Sequence, residues 1–167
     1  MSDQSPVAKS EAIGLSDDQF LEQFEACTYP YAHWTHRAHL RVAYCYVTRF
    51  GLADAIPKVT AGIRAYNRSQ GIVDTPTSGY HETMTIAWLH LVAAMLAEYG
   101  PTGAVAANSP PLLGPEAPPS QEFLEAQPQL REKKLLRLFY SRDRFCCPEA
   151  KYDFVPPDLA PLPGALR

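Results

Sequence analysis

Three of the chain's five histidines fall in two short segments whose spacing suits metal or proton chemistry. His36 and His39 lie in Trp34-Thr35-His36-Arg37-Ala38-His39-Leu40-Arg41, and His81 precedes Glu82 in Gly79-Tyr80-His81-Glu82-Thr83. Histidines three residues apart on a helix project from one face and can hold one ion together. Two histidines with a further histidine or a carboxylate suit zinc, or iron in a facial triad with open positions. The expected metal set is therefore His36, His39, His81 and Glu82, around a divalent zinc or iron ion. Glu82 also fits a general base, or a partner that orients a ligand. Arg41 joins Glu82 as a candidate catalytic residue, holding an anionic substrate or pairing with that glutamate. Without a metal the same groups form a histidine–glutamate acid–base site. The plainest alternative is structural: histidines satisfied inside the fold, and a glutamate favoured by the positive end of a helix.

Positioning these groups requires helices, and the sequence supplies their signals. Ser16-Asp17-Asp18-Gln19 reads as a capping box, with Leu15 able to staple onto Phe20. Thr28-Tyr29-Pro30 closes this first helix. Thr35 caps a second helix, His36 to about Phe50, whose apolar stripe is Leu40, Ala43, Val47 and Phe50. Gly51 stops it, and a third helix runs from about Leu52 to Gln70, ended by Gly71. The loop 71–80 is rich in turn formers, and Ser78 is the expected cap of a fourth helix, from about Gly79 to Tyr99. That helix is apolar around most of its circumference, which makes it the central one. Ser120 is expected to cap a short helix ending at Ala126, and a further helix is expected over about Gln129 to Tyr140. Prolines at 148, 156, 157, 161 and 163 imply an extended C-terminal tail. The expected fold is all-α, a bundle of four main helices with short C-terminal helices and a proline-rich tail. Residues 1–14 read as a disordered lead-in, and 15–167 as one helical domain with a proline-rich loop at 101–119.

Short connections make successive helices antiparallel, so helices two and four run the same way. Their N-termini, carrying His36, His39, His81 and Glu82, then meet at one end. Arg64, Tyr66 and Asn67 arrive there from the third helix. His90 points about 180° away from His81 and is excluded. His33 precedes the cap and is either a fourth ligand or solvated. Thr83, Thr85 and Trp88 read as core. Arg131, Lys133, Lys134, Arg137, Arg142 and Arg144 form a local basic cluster, most simply a solvated face with Glu132 and Asp143 nearby.

Composition narrows the classes. Hydrophobic residues make up 46% of the 167 and charged residues 20%, ordinary for a globular domain. A net charge of −3 argues against a general nucleic-acid binder. No apolar run approaches the roughly 18–20 residues that span a bilayer. The polar start Met1-Ser2-Asp3-Gln4 lacks the apolar core of a secretory signal, so a cytoplasmic location is expected. Cys27 and Cys45 read as buried free thiols, and the adjacent Cys146 and Cys147 lack zinc-knuckle spacing.

The segments WTHRAHLRVA and GYHETMTIAW, with the terminal FVPPDLAPLP, resemble a group of small uncharacterised bacterial proteins with HxxH-[LV]-R and YHETxT motifs. The resemblance spans roughly residues 20–99 and 120–163. It implies that His36, His39, Arg41, Tyr80, His81, Glu82 and Thr83 belong together, and it carries no activity with it. Three functions are consistent with this reading. One is a metal-dependent enzyme, hydrolase or non-haem-iron oxygenase, acting on a small molecule. The second is a non-catalytic protein that binds or senses a metal or small ligand. The third is a helical interaction module whose proline-rich segments make the contacts.

Overall fold

A computed structural model describes residues 14–103, 110 and 112–164 of the chain. The expected lead-in over 1–14 lies outside the described residues except for Gly14, as do 104–109 and 111 of the proline-rich stretch. The described chain is all-α, and its one β feature is an isolated bridge between Thr75 and Ser78. No described helix is long and apolar enough to cross a membrane.

Helix α1, Asp17–Glu25, begins as its sequence dictates. The Gln19 amide donates to Ser16 Oγ (3.1 Å) and the Ser16 amide to Gln19 Oε1 (3.0 Å), closing the capping box. The helix ends before Pro30 matters. Cys27 takes a left-handed conformation (φ 57°), and the Thr28 amide reaches back to the Gln23 carbonyl (2.8 Å). This is the Schellman closure, here without glycine.

Helix α2, His36–Ser69, contains the expected second and third helices. A straight helix of its 34 residues would run about 50 Å, yet the rings of Trp34 and Tyr66 stand 4.4 Å apart. The chain folds back at Gly51, whose φ of 75° and ψ of 165° belong to a region open essentially to glycine alone. A Cβ there would meet nothing within 4 Å, so substitution costs backbone strain only. Gly51→Ala is expected to lose about 1–3 kcal/mol in urea unfolding; an unchanged midpoint would mean that the hairpin does not depend on this conformation.

Helix α3, Glu82–Tyr99, packs mainly on α2 and starts three residues later than expected. Its N-cap is His81 rather than Ser78, because Ser78 is held in the loop by its bridge to Thr75 while Lys151 donates to the carbonyls of Ser78 and Tyr80. Helix α4, Pro119–Ala126, follows. The single helix expected over 129–140 is instead two 3₁₀ turns, Pro128–Arg131 and Lys133–Leu138. Glu132 between them is extended (φ −84°, ψ 103°), and its carboxylate caps the Lys134 amide (3.2 Å). The short helices α5, Arg142–Phe145, and α6, Pro148–Tyr152, precede the extended tail. That tail is part of the core: Val155 and Leu162 are buried, and Tyr140 Oη donates to the Val155 carbonyl (3.0 Å).

Phe20, Phe24, Leu40, Val59, Tyr66, Leu89, Val92, Phe123 and Leu130 fill the centre. Of the stripe expected on the second helix, Leu40 and Ala43 are buried, whereas Phe50 at the hairpin is exposed beneath the Lys58 ammonium.

Candidate functional site

The first turn of α2 and the first two turns of α3 meet over a cavity of about 1190 Å³. Thr35 positions the first of these, its hydroxyl accepting from the Ala38 amide (3.4 Å) as an N-cap. His36 and His39 then both line the cavity, beside Trp34 and Trp88. The His36 ring contacts Trp88 edge-on at 4.6 Å, and the His39 ring lies 4.1 Å from Trp34. Trp34 is fixed from behind by Phe24, stacked at 5.4 Å, and by Tyr66. The 3₁₀ turn Lys133–Leu138 and helix α5 form the opposite wall.

Hydrogen bonding assigns the protons of the two histidines. His36 Nε2 lies 3.0 Å from the Leu130 carbonyl and His39 Nδ1 lies 2.7 Å from the Thr35 carbonyl. A carbonyl only accepts, so each of these nitrogens carries hydrogen. That leaves His36 Nδ1 and His39 Nε2 as lone-pair nitrogens when the rings are neutral. Burial favours the neutral form of both. It lowers the His36 pKa, with the Lys133 ammonium adding to the effect against the Leu130 hydrogen bond and Glu132. It brings His39 down to about 4, against the Thr35 hydrogen bond and assisted by His36 and Lys133.

The other expected site residues are engaged elsewhere. His81 Nδ1 accepts from the Met84 amide (3.2 Å), and its ring stacks on Phe145 at 4.9 Å. It is the cap of α3 and does not line the cavity. Capping requires an unprotonated Nδ1, and burial lowers the pKa of this histidine too, opposed by a hydrogen bond with the Phe145 backbone. His81→Ala is expected to cost about 1 kcal/mol in thermal or urea unfolding, with His81→Asn restoring most of it. Equal loss in both variants would assign the effect to the Phe145 contact instead.

Glu82 Oε2 accepts from Tyr80 Oη (2.7 Å) and from the Arg64 guanidinium (3.0 Å), while that guanidinium covers the Tyr80 ring at 4.5 Å. The C-terminal part of α2 therefore does arrive beside the start of α3, but its arginine occupies the carboxylate. Arg41 does not pair with Glu82. It is 2% exposed and meets Asp17 Oδ1 (3.1 Å), Ser120 Oγ (2.8 Å) and the Leu15 carbonyl (2.5 Å), with its guanidinium over Phe20. It ties α1 and α4 to α2, and it does not line the cavity. His33 lies outside the lining, and His90 meets the Pro163 carbonyl on the far side of α3.

The structure thus brings together two of the four expected ligands. Among the described residues no three His, Cys, Asp or Glu side chains gather as a metal-holding group. Trp34, Trp88, Lys133, Lys134, Arg137, Arg142 and Phe145 line the cavity without having been singled out as site residues. The basic cluster carries the signal for the four cations alone, and a continuous helix over 129–140 gives it no reason to face inward. Set beside protein-family models, curated proteins and solved structures, the chain matches none.

Proposed function

We propose that the chain binds a small molecule in this cavity, with His36 and His39 as its polar recognition pair. The observation behind it is geometric: both rings line the cavity, and each is tied through one ring N–H to a backbone carbonyl, so that its other nitrogen is free of protein partners among the described residues, while burial favours the neutral form of both. An apolar cavity with few polar groups of fixed orientation is the usual form of a ligand site. If the chain is an enzyme, His36 is the better proton acceptor, because a pKa of about 4 leaves His39 a weak base at neutral pH. The proposal takes α1, the two arms of α2 and α3 as a four-helix bundle with the cavity at one end, in a protein of the cytoplasm.

The imidazole resonances of His36 and His39 test it. A compound from a diverse small-molecule library is expected to shift both while leaving His90, on the far side of α3, unmoved. A library that moves neither pair member sinks the reading.

A metal-dependent enzyme is the second reading, and one observation favours it. Metal-bound histidines usually donate their other N–H to a carbonyl or carboxylate, as both of these do. Two histidines fall short of a zinc or iron ligand set, and His81 and Glu82 do not complete it where they stand. The metal reading therefore expects zinc or ferrous iron to be taken up at the two histidines and lost in His36→Ala. Calorimetric titration without uptake removes it.

A further inference from the structure

The charges around the cavity are of one sign. Lys133, Lys134, Arg137 and Arg142 line it, and no aspartate or glutamate does. The chain as a whole has 18 acidic and 15 basic residues, so this segregation runs against its composition. Among the described residues none of the four forms a salt bridge. Their placement follows from the backbone. A 3₁₀ turn brings residues three apart onto one ridge, which aligns Lys134 with Arg137. Buried Leu130 and Leu136 anchor the segment, and the His36–Leu130 hydrogen bond ties it to the start of α2. Lys133 is near enough to depress the proton affinity of both cavity histidines. The acidic neighbours in sequence, Glu132 beside Lys133 and Asp143 beside Arg142, both stay out of the lining; Glu132 is turned to the Lys134 amide, and its charge on His36 opposes that of Lys133. Beneath this rim the walls are apolar and aromatic, with Trp34, Trp88, Leu89 and Phe145.

We infer that the ligand is an organic anion: an apolar, ring-sized body seated between the tryptophans, with a carboxylate or phosphate at the rim under the Lys133–Arg137 segment. The inference rests on the small-molecule reading above and narrows it to a chemical class. Arginine can grip either head group through two parallel hydrogen bonds, and lysine adds charge without fixing geometry. Exposed cations attract over roughly 8–10 Å at ordinary salt, so binding should weaken as salt is added.

Both tryptophans of the chain line the cavity, so its intrinsic emission reports occupancy. The probes are phenylbutyrate, phenyl phosphate and phenylbutanol, which keep an aromatic body and vary the head group. At least one anion is expected to bind about tenfold more tightly than the alcohol, which corresponds to about 1.4 kcal/mol. The doubly substituted Lys134→Glu, Arg137→Glu variant is expected to lose that preference. Both side chains are exposed, and circular dichroism verifies that the variant is folded. The anion that binds more tightly identifies the head group. Equal binding of alcohol and anions, or a preference that survives the double substitution, overturns the inference and leaves the small-molecule reading standing. Failure of all three probes also overturns it, and if no library compound moves His36 and His39 the broader reading falls as well.

Discussion

Arg41→Ala is expected to destabilise the chain by about 3–5 kcal/mol, the usual result of removing one partner from a buried ion pair. Three groups would lose their donor: the Asp17 carboxylate, the Ser120 hydroxyl and the Leu15 carbonyl. Asp17 would keep the Ser120 amide (3.0 Å) and hydroxyl, which limits the loss without cancelling it. Because the guanidinium also packs over Phe20, part of the cost is lost contact rather than lost charge. For a chain of this length the melting temperature should fall by roughly 6–20 °C. Arg41→Met should recover some of it, since a flexible apolar side chain refills the volume over Phe20. The same variants separate the two roles that the sequence offered for this arginine. A folded Arg41→Met protein that binds cavity ligands normally assigns Arg41 to structure. One of normal stability that fails to bind would return it to the site.

Arg41 also shows what was legible beforehand and what was not. Its burial could be inferred from the apolar residues on either side, and its need for a carboxylate followed from that burial. Which carboxylate depended on how α1 and α4 close on α2, a tertiary fact without local signature. The helix ends were clearer, since capping is a local interaction: Ser16 with Gln19, Thr35 and Gly51 all act as their residue types require. Ser78 misled because Lys151, more than seventy residues later, holds its carbonyl and keeps the loop from joining the helix. His81 is expected as a ligand inside the first turn of α3, and a start three residues later than expected makes it the cap instead. The basic segment 131–137 lost its signal for another reason. A helical reading spreads its charges around an axis, whereas two 3₁₀ turns broken at Glu132 bring Lys133, Lys134 and Arg137 to one wall and leave Arg131 on Glu125. The pair His36 and His39 held its place because both lie in one turn of one helix, where spacing fixes direction.

Acid is expected to weaken the fold through His39. Its pKa falls from an ordinary 6.5 to about 4 in the folded chain, mainly through burial, so the unfolded chain binds its proton more readily. Stability from this group is therefore fully present above pH 6.5 and drains away as the pH falls toward about 4, below which the slope ends. Each tenfold change in proton affinity is worth about 1.4 kcal/mol, so the whole window is worth about 3 kcal/mol. Carboxylates titrate in the same range, and His36 adds a contribution of the same sign. The comparison must therefore be with a variant lacking only this proton. His39→Asn serves, because its side-chain amide can still donate to the Thr35 carbonyl where Nδ1 did. Urea unfolding at a series of pH values should show the native chain losing stability relative to His39→Asn as the medium is acidified. A difference that stays flat between pH 6.5 and 4 would mean that His39 is solvated and its pKa ordinary. A bound anion changes the sign of the neighbouring field, opposing Lys133 and drawing the imidazole pKa upward. The same series repeated with phenylbutyrate should then move the His39 window to higher pH. That shift links the neutral histidine to the cationic rim, since the anion must lie near enough to act on both.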